Sequence, residues 1–255
     1  MEKKNTLGVI LSFTGIVNGL LLLFWIAAIY SPVVSTKIAQ GHGYEAITVR
    51  IVFAVLGWMA LSAGALWAAV LYGFVKGKDW AWFWGIVAAT FQILPGFFPF
   101  IPAASVHIFS KTLFSFAIAL ILWFAMLWMG KIKGKIIWIS FLAGLAYIFS
   151  FINGVGSIAR YQMVNKGIAL GIYGLSQMVN WWAAIGIAIF IFGLVKKKFW
   201  AISEGVFATT LSMLGGFPMG IMDALRIGRF SLFLVAPITS TILLIVILLN
   251  AKEVE

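Results

Sequence analysis

Very few side chains of this sequence are suited to acid, base or metal chemistry. Its 255 residues include two histidines, seven carboxylates and no cysteine. His42, Glu45 and His107 together supply the ligand types of a zinc site with an open position. An ordinary solvated loop explains the same three residues, so we assign no metal. The absence of cysteine excludes disulfides, thiolate metal sites and thiol catalysis.

The remaining charged side chains lie near the ends of long apolar runs. Glu204 follows Lys197 and Lys198 closely enough to reach the membrane surface and pair there. Asp223 and Arg226, three residues apart, are predicted to form a local ion pair on one helix. Proton pumps, ion-coupled carriers and voltage sensors need charges inside the membrane, so these classes are disfavoured. No catalytic or cofactor motif occurs, which disfavours an enzyme and gives no reason to assign a cofactor.

Uncharged polar residues within the apolar runs are the remaining candidates for a binding site. Such side chains need partners in lipid, and these are supplied either by other helices or by a ligand. Trp181 and Trp182 lie in the middle of one run, next to Asn180, and a ligand wall and core packing are the two alternatives for them. The candidate ligand-binding residues are Thr90, Gln92, Asn180, Trp181, Thr210 and Ser212.

The composition shows which elements must position these residues. The chain is 63% hydrophobic and only 10% charged, too apolar for a protein of this length to fold in water. Eight runs are long enough to cross a bilayer as helices, so the sequence predicts an all-α polytopic membrane protein. The predicted spans are Leu7–Tyr30, Ile51–Val75, Trp80–Val106, Thr112–Gly130, Ile136–Ala159, Gly167–Val195, Phe199–Met222 and Phe230–Ala251.

An internal match predicts how the spans are grouped. Gly73–Phe97 aligns without a gap on Gly193–Phe217, with 12 of 25 residues identical. The match covers the second and third spans of each half, so residues 1–132 and 133–255 are expected to be tandem four-helix repeats. An even number of spans returns the chain to its starting side, which favours repeats in parallel orientation.

Basic residues predict the orientation. The connections on one side of the predicted spans carry 11 of the 18 Lys and Arg residues, and the other side carries seven. Because the richer side of a membrane protein faces the cytoplasm, we expect a multi-pass protein of the cell membrane with both termini inside. The formal net charge of +11 then reflects contact with anionic lipid rather than with nucleic acid.

Proline positions add one further expectation. Pro95, Pro99 and Pro102 predict a kinked or unwound segment over Leu94–Pro102, and Pro218 predicts another over Leu214–Gly220. These segments favour a transporter or binder of a neutral or lipophilic small molecule between the two repeats. The alternatives are a non-catalytic subunit or scaffold that contacts other membrane subunits, and a quinone-binding redox anchor.

Overall fold

A computed structural model describes residues 3–164 and 166–251, with side chains from Asn5 onward. All regular secondary structure in these ranges is helical. Lys252, one of the basic residues used to predict orientation, lies outside the described residues. The side chains of Lys3 and Lys4 lie outside them as well, although their backbone belongs to the first helix.

The described residues contain eight helical segments that are long and apolar enough to cross a membrane, as the sequence predicts. Helix formation follows from the solvent, because a backbone in lipid must satisfy its hydrogen bonds internally. One span consists of two helices, α3 and α4, and a short 3-10 turn at Leu232–Leu234 leads into the last helix. The helices are α1 Lys3–Ala39, α2 Gly43–Val75, α3 Ala81–Phe97, α4 Phe100–Ala104, α5 Thr112–Met129, α6 Gly134–Met163, α7 Ile168–Val195, α8 Ala201–Ile227 and α9 Val235–Leu249.

The first two helices are longer than predicted. α1 continues through Pro32 and has 37 residues, while α2 begins at Gly43 and has 33. The expected loop between Tyr30 and Ile51 therefore shrinks to a three-residue turn. Lys37, which the sequence places in that loop, is a buried residue of α1.

The chain divides into two compact units, Met1–Ile132 and Lys133–Glu255. In the first unit α1 packs on α2, α2 on α3, α3 on α5, and α5 returns to α1. The second unit has the same order of contacts through α6, α7, α8 and α9. Each unit is thus a closed four-helix arrangement in which consecutive helices run in opposite directions.

The matching sequence segments adopt the same turn in both units. Where α2 ends, Lys78 N–H donates to the Gly73 carbonyl at 2.8 Å, and where α7 ends, Lys198 N–H donates to the Gly193 carbonyl at 2.8 Å. The residue before each donor is left-handed, with φ of +64° at Gly77 and +50° at Lys197. This is the Schellman termination of a helix, and it reverses the chain toward the next span.

Glycines allow α3 to approach α5 closely, and α8 to approach α9 closely. A Cβ at Gly96 would lie 2.8 Å from the Phe116 Cα, and a Cβ at Gly216 would lie 2.7 Å from the Pro237 ring. Neither position has room for a side chain, so the helix axes can come closer than they could with alanine.

The prolines behave differently in the two units. α3 ends at Phe97, and α4 begins after Pro99, so the expected interruption over Leu94–Pro102 is present. α8, by contrast, runs without interruption from Ala201 to Ile227 through Pro218. The segment Leu214–Gly220 is therefore not unwound, because a helix can continue past a single missing N–H, and a kink at Pro218 stays a prediction.

Candidate functional site

Gln92 joins three helices in the interior of the first unit. Its Oε1 accepts from Asn18 Nδ2 at 3.1 Å and from Trp67 Nε1 at 3.3 Å, and its Nε2 donates to the Gly15 carbonyl at 2.7 Å. The side chain is fully buried. Every polar atom of Gln92 is occupied by α1 or α2, so this side chain holds helices together.

Ser212 takes the corresponding place in the second unit. Its hydroxyl lies 2.9 Å from the Ser150 hydroxyl of α6 and accepts from Ser240 of α9 at 2.8 Å. All three side chains are fully buried. Gln92 and Ser212 are 120 residues apart, the offset of the sequence match, and both connect the third helix to the first helix of their unit.

The two candidate threonines are not part of these junctions. Thr90 Oγ1 donates to the Ile86 carbonyl of its own helix at 2.9 Å. Thr210 is exposed on α8. An exposed side chain of a membrane-spanning helix faces lipid or another surface rather than the interior of its own unit.

Asn180 and Trp181 differ from the other candidates because they retain unused hydrogen-bonding atoms. Asn180 is fully buried, and its Nδ2 donates to the Ser176 carbonyl at 2.8 Å. Its Oδ1 has no partner among the described residues, and neither does the buried Trp181 Nε1. A buried polar atom left unpaired costs about 1–3 kcal/mol, so a free acceptor and a free donor at one depth call for a partner.

The surroundings of these two residues come from α6 and α8. A Cβ at Gly154 would lie 2.1 Å from the Trp181 ring, so this glycine makes room for the indole on α6. The Phe151 ring stacks on the same indole, with centroids 6.3 Å apart. Asn180 faces α8, where a Cβ at Gly215 would lie 3.0 Å from its Nδ2.

Tyr173 is a third residue of α7 with an unused polar atom. Its side chain is fully buried, and its hydroxyl has no partner among the described residues. Asn180 follows Tyr173 by seven positions, so the two lie on one face of α7, about 10 Å apart along the axis.

The first unit is apolar at the same three places. α2 and α7 end at equivalent residues, Val75 and Val195, so positions can be counted back from the shared turn. The residues of α2 that correspond to Tyr173, Asn180 and Trp181 are Phe53, Ala60 and Leu61. The unused polar atoms of α7 are thus additions to one unit and are not required by this arrangement of helices.

An ion pair lies at the end of the second unit where α6 finishes and α7 begins. Arg160 Nε is 3.0 Å from Asp223 Oδ1, in an approach too bent for a hydrogen bond. Ser231 donates to the other carboxylate oxygen at 2.8 Å. The expected pair of Asp223 with Arg226 is wrong, because the buried carboxylate turns toward α6 and Arg226 stays exposed. The guanidinium also lies over the Phe233 ring, 5.7 Å from its centroid.

The first unit has its own ion pair where α1 finishes and α2 begins. Lys37 Nζ donates to Glu45 Oε2 at 2.6 Å and to Ser105 Oγ at 3.0 Å. Lys37 thus contacts side chains of both α2 and the end of α4, so these three side chains stabilise the ends of α1, α2 and α4.

The candidate metal ligands do not form a cluster. His42 and His107 are exposed, and Glu45 is engaged by Lys37. Within the described residues there is no group of three or more metal-binding side chains.

Glu204 lies in the first turn of α8, but among the described residues no ion pair joins its carboxylate to Lys197 or Lys198. A Cβ at Gly186 of α7 would lie 3.0 Å from Glu204 Oε1 instead. The carboxylate therefore fills the space beside a glycine of the neighbouring helix.

An open groove lies beside the turn between α1 and α2. It has a volume of about 440 Å³ and is bordered by the exposed residues Ile38, Tyr44 and Arg50. The backbone of Gly41 and Gly43 forms its floor. An open groove of this kind, with one cation, suits contact with lipid better than enclosure of a small molecule.

Comparison of this chain with known protein families, with curated proteins and with solved structures found no match. Functional inference therefore depends on the residues described above.

Proposed function

We propose that the second unit binds a neutral, lipophilic small molecule between α6, α7 and α8. One observation carries this proposal: among the described residues, Asn180 Oδ1 and Trp181 Nε1 are buried without partners, on a helix whose counterpart α2 has Ala60 and Leu61 at the same positions. A hydroxyl group of a ligand would donate to Asn180 Oδ1 and accept from Trp181 Nε1. The surrounding Phe151 ring and apolar helix faces would bind its hydrocarbon part.

The chemistry of the site favours a neutral ligand. Asn180 is the thirteenth residue of the 28-residue helix α7 and so lies near its middle. α7 contains no charged residue, so an ion at the level of Asn180 would find no counter-charge on that helix. A quinone fits less well, because its carbonyl oxygens would accept from Trp181 Nε1 but offer no proton to Asn180 Oδ1.

The proposal extends to topology and role. The two units would be tandem repeats in parallel orientation, with both termini cytoplasmic in the cell membrane. The shared Schellman turns and the corresponding places of Gln92 and Ser212 support a common origin of the units. In this arrangement the first unit is structural and the second carries the site, as a binder or as a transporter of its ligand.

The main alternative is a non-catalytic membrane subunit that assembles with other subunits. The first unit favours it, because the polar atoms of Gln92 are all engaged by its own helices and offer nothing to a ligand.

Native mass spectrometry of the protein extracted from its own membrane tests the proposal. We expect a co-purifying small molecule that is lost from Asn180→Leu and from Trp181→Phe. Met178→Leu, a change on the exposed face of the same helix, should keep it. Partner subunits without any bound small molecule would favour the alternative. A ligand retained by both site variants would refute the assignment of the site.

A further inference from the structure

Tyr173 carries a fully buried hydroxyl that the proposed site leaves unexplained. Its hydroxyl is without a partner, although the side chain is fully enclosed. In the first unit Phe53 occupies the corresponding position and is equally buried. The enclosed ring alone therefore serves packing, and the added hydroxyl is destabilising unless something pairs with it.

Charged atoms near Tyr173 limit what can pair with it. Asp223, Arg226 and Arg160 all lie within electrostatic reach of its hydroxyl. Arg160 Nε and Asp223 Oδ1 lie 3.0 Å apart as an ion pair, so their charges offset each other. A neutral group that both donates and accepts, such as a hydroxyl, therefore complements the Tyr173 hydroxyl without adding an unpaired charge.

Tyr173 lies on the same helix as the proposed site, which connects its surroundings to that site. Tyr173 and Asn180 share one face of the helix, and their Cα levels are about 10 Å apart. A linear molecule lying along α7 would reach both levels.

We infer, on the basis of the proposed function, that the ligand is an elongated neutral amphipath with hydrogen-bonding groups at both ends. One end would pair with Asn180 and Trp181, and a hydroxyl at the other end would pair with Tyr173 beside the Arg160–Asp223 pair. The apolar middle of the molecule would lie against α7 between the two levels.

Two simple alcohols test this inference: decanol, with one terminal hydroxyl, and decanediol, with a hydroxyl at each end. Their affinities can be measured by isothermal titration calorimetry of the whole protein in maltoside micelles, with empty micelles as the blank. We expect the wild-type protein to bind decanediol about fivefold more tightly than decanol, the effect of one added hydrogen bond.

Variants assign the effect to each end of the site. Tyr173→Phe should bind both alcohols with the affinity that the wild type has for decanol. Asn180→Leu should weaken both alcohols and leave the preference for decanediol in place. Circular dichroism and thermal unfolding of each variant show whether it is folded, and Tyr173→Phe introduces the residue type that the first unit has at Phe53.

The outcomes separate the two proposals. Two results would refute the inference that Tyr173 binds a second hydroxyl: equal binding of the alcohols by the wild type, or a preference for decanediol that survives Tyr173→Phe. Neither result would contradict the proposed site at Asn180 and Trp181. Failure of both alcohols to bind the wild type would count against the proposed function and this inference together.

Discussion

Arg160 of α6 and Asp223 of α8 lie 3.0 Å apart but are unequally buried, with 23% of the arginine side chain exposed and 3% of the aspartate side chain. Ser231 supplies the carboxylate with one further hydrogen bond. Removing the arginine leaves a charge enclosed in the protein, whereas removing the aspartate leaves a cation that can reach solvent along its own stem.

We therefore expect Arg160→Met to be the more harmful of the two substitutions. Arg160→Met should lower the free energy of unfolding by about 3 kcal/mol, because it leaves a buried charge unpaired. Asp223→Asn should lower it by about 1 kcal/mol, because the remaining arginine is partly exposed. The measurement is an SDS titration in mixed micelles followed by circular dichroism. Combining Arg160→Met with Asp223→Leu should recover most of the loss. A larger loss for Asp223→Asn would contradict this account of the pair.

Close approach of the third and fourth helices gives a second prediction. Gly96→Ala places a methyl group 2.8 Å from the backbone of Phe116, and backbone cannot turn aside as a flexible side chain can. We expect a loss of about 2 kcal/mol in unfolding free energy. Gly144→Ala in α6 is the control, because no neighbouring atom lies within 4 Å of the new methyl group. The control should be neutral or up to about 1 kcal/mol more stable.

The two Schellman turns predict a pair of opposite effects. Lys197 has φ of +50°, a conformation that costs a residue with a Cβ about 1 kcal/mol relative to glycine. Lys197→Gly should therefore raise the unfolding free energy by about that amount, and Gly77→Lys should lower it similarly. Thermal unfolding of both variants against the wild type checks the signs. Equal signs for the two changes would show that side-chain contacts outweigh backbone conformation here.

Gln92 and Asn180 should respond differently to the same substitution by leucine. Gln92→Leu removes three hydrogen bonds and leaves Trp67 Nε1 buried without its acceptor, so we expect a loss of about 2–4 kcal/mol. Asn180→Leu removes one local bond and one unpaired oxygen, and should change stability by less than about 1 kcal/mol.

Unfolding measured without added ligand compares these two variants directly. A large loss for Asn180→Leu would mean that the asparagine is structural, and the proposed site would then lose its main support.

The sequence was sufficient to predict the eight spans, because lipid requires long, uncharged helices whatever their tertiary contacts. It was insufficient at helix ends: Lys37 was placed in a loop by its charge, whereas Glu45 and Ser105 allow it to be buried in α1. The sequence also could not show which candidate polar residues pair with other helices and which are left for a ligand. Whether such a side chain is satisfied depends on distant partners, as when Asn18 bonds to the carbonyl of Ser115 in α5.

Tyr173 and Arg160 were missed for related reasons. A single tyrosine in an apolar run gives no sign of whether its hydroxyl finds a partner. Arg160 lies near a helix end, where a cation is normally a surface residue. A comparison of α7 with α2 at the spacing of the internal match would have drawn attention to Tyr173 opposite Phe53, since only one of the two can form a hydrogen bond.

The lengths of the helices bear on which lipids suit this protein. The segments Thr112–Met129 and Leu232–Leu249 have 18 residues each, and the 37 residues of α1 are twice as many. At 1.5 Å per residue the short segments measure about 27 Å and α1 about 55 Å. A typical hydrocarbon core is about 30 Å thick, so the long helix can tilt or protrude while the short ones have no length to spare. The last span of each unit, Thr112–Met129 or Leu232–Leu249, therefore determines the acyl-chain length at which hydrophobic mismatch is smallest.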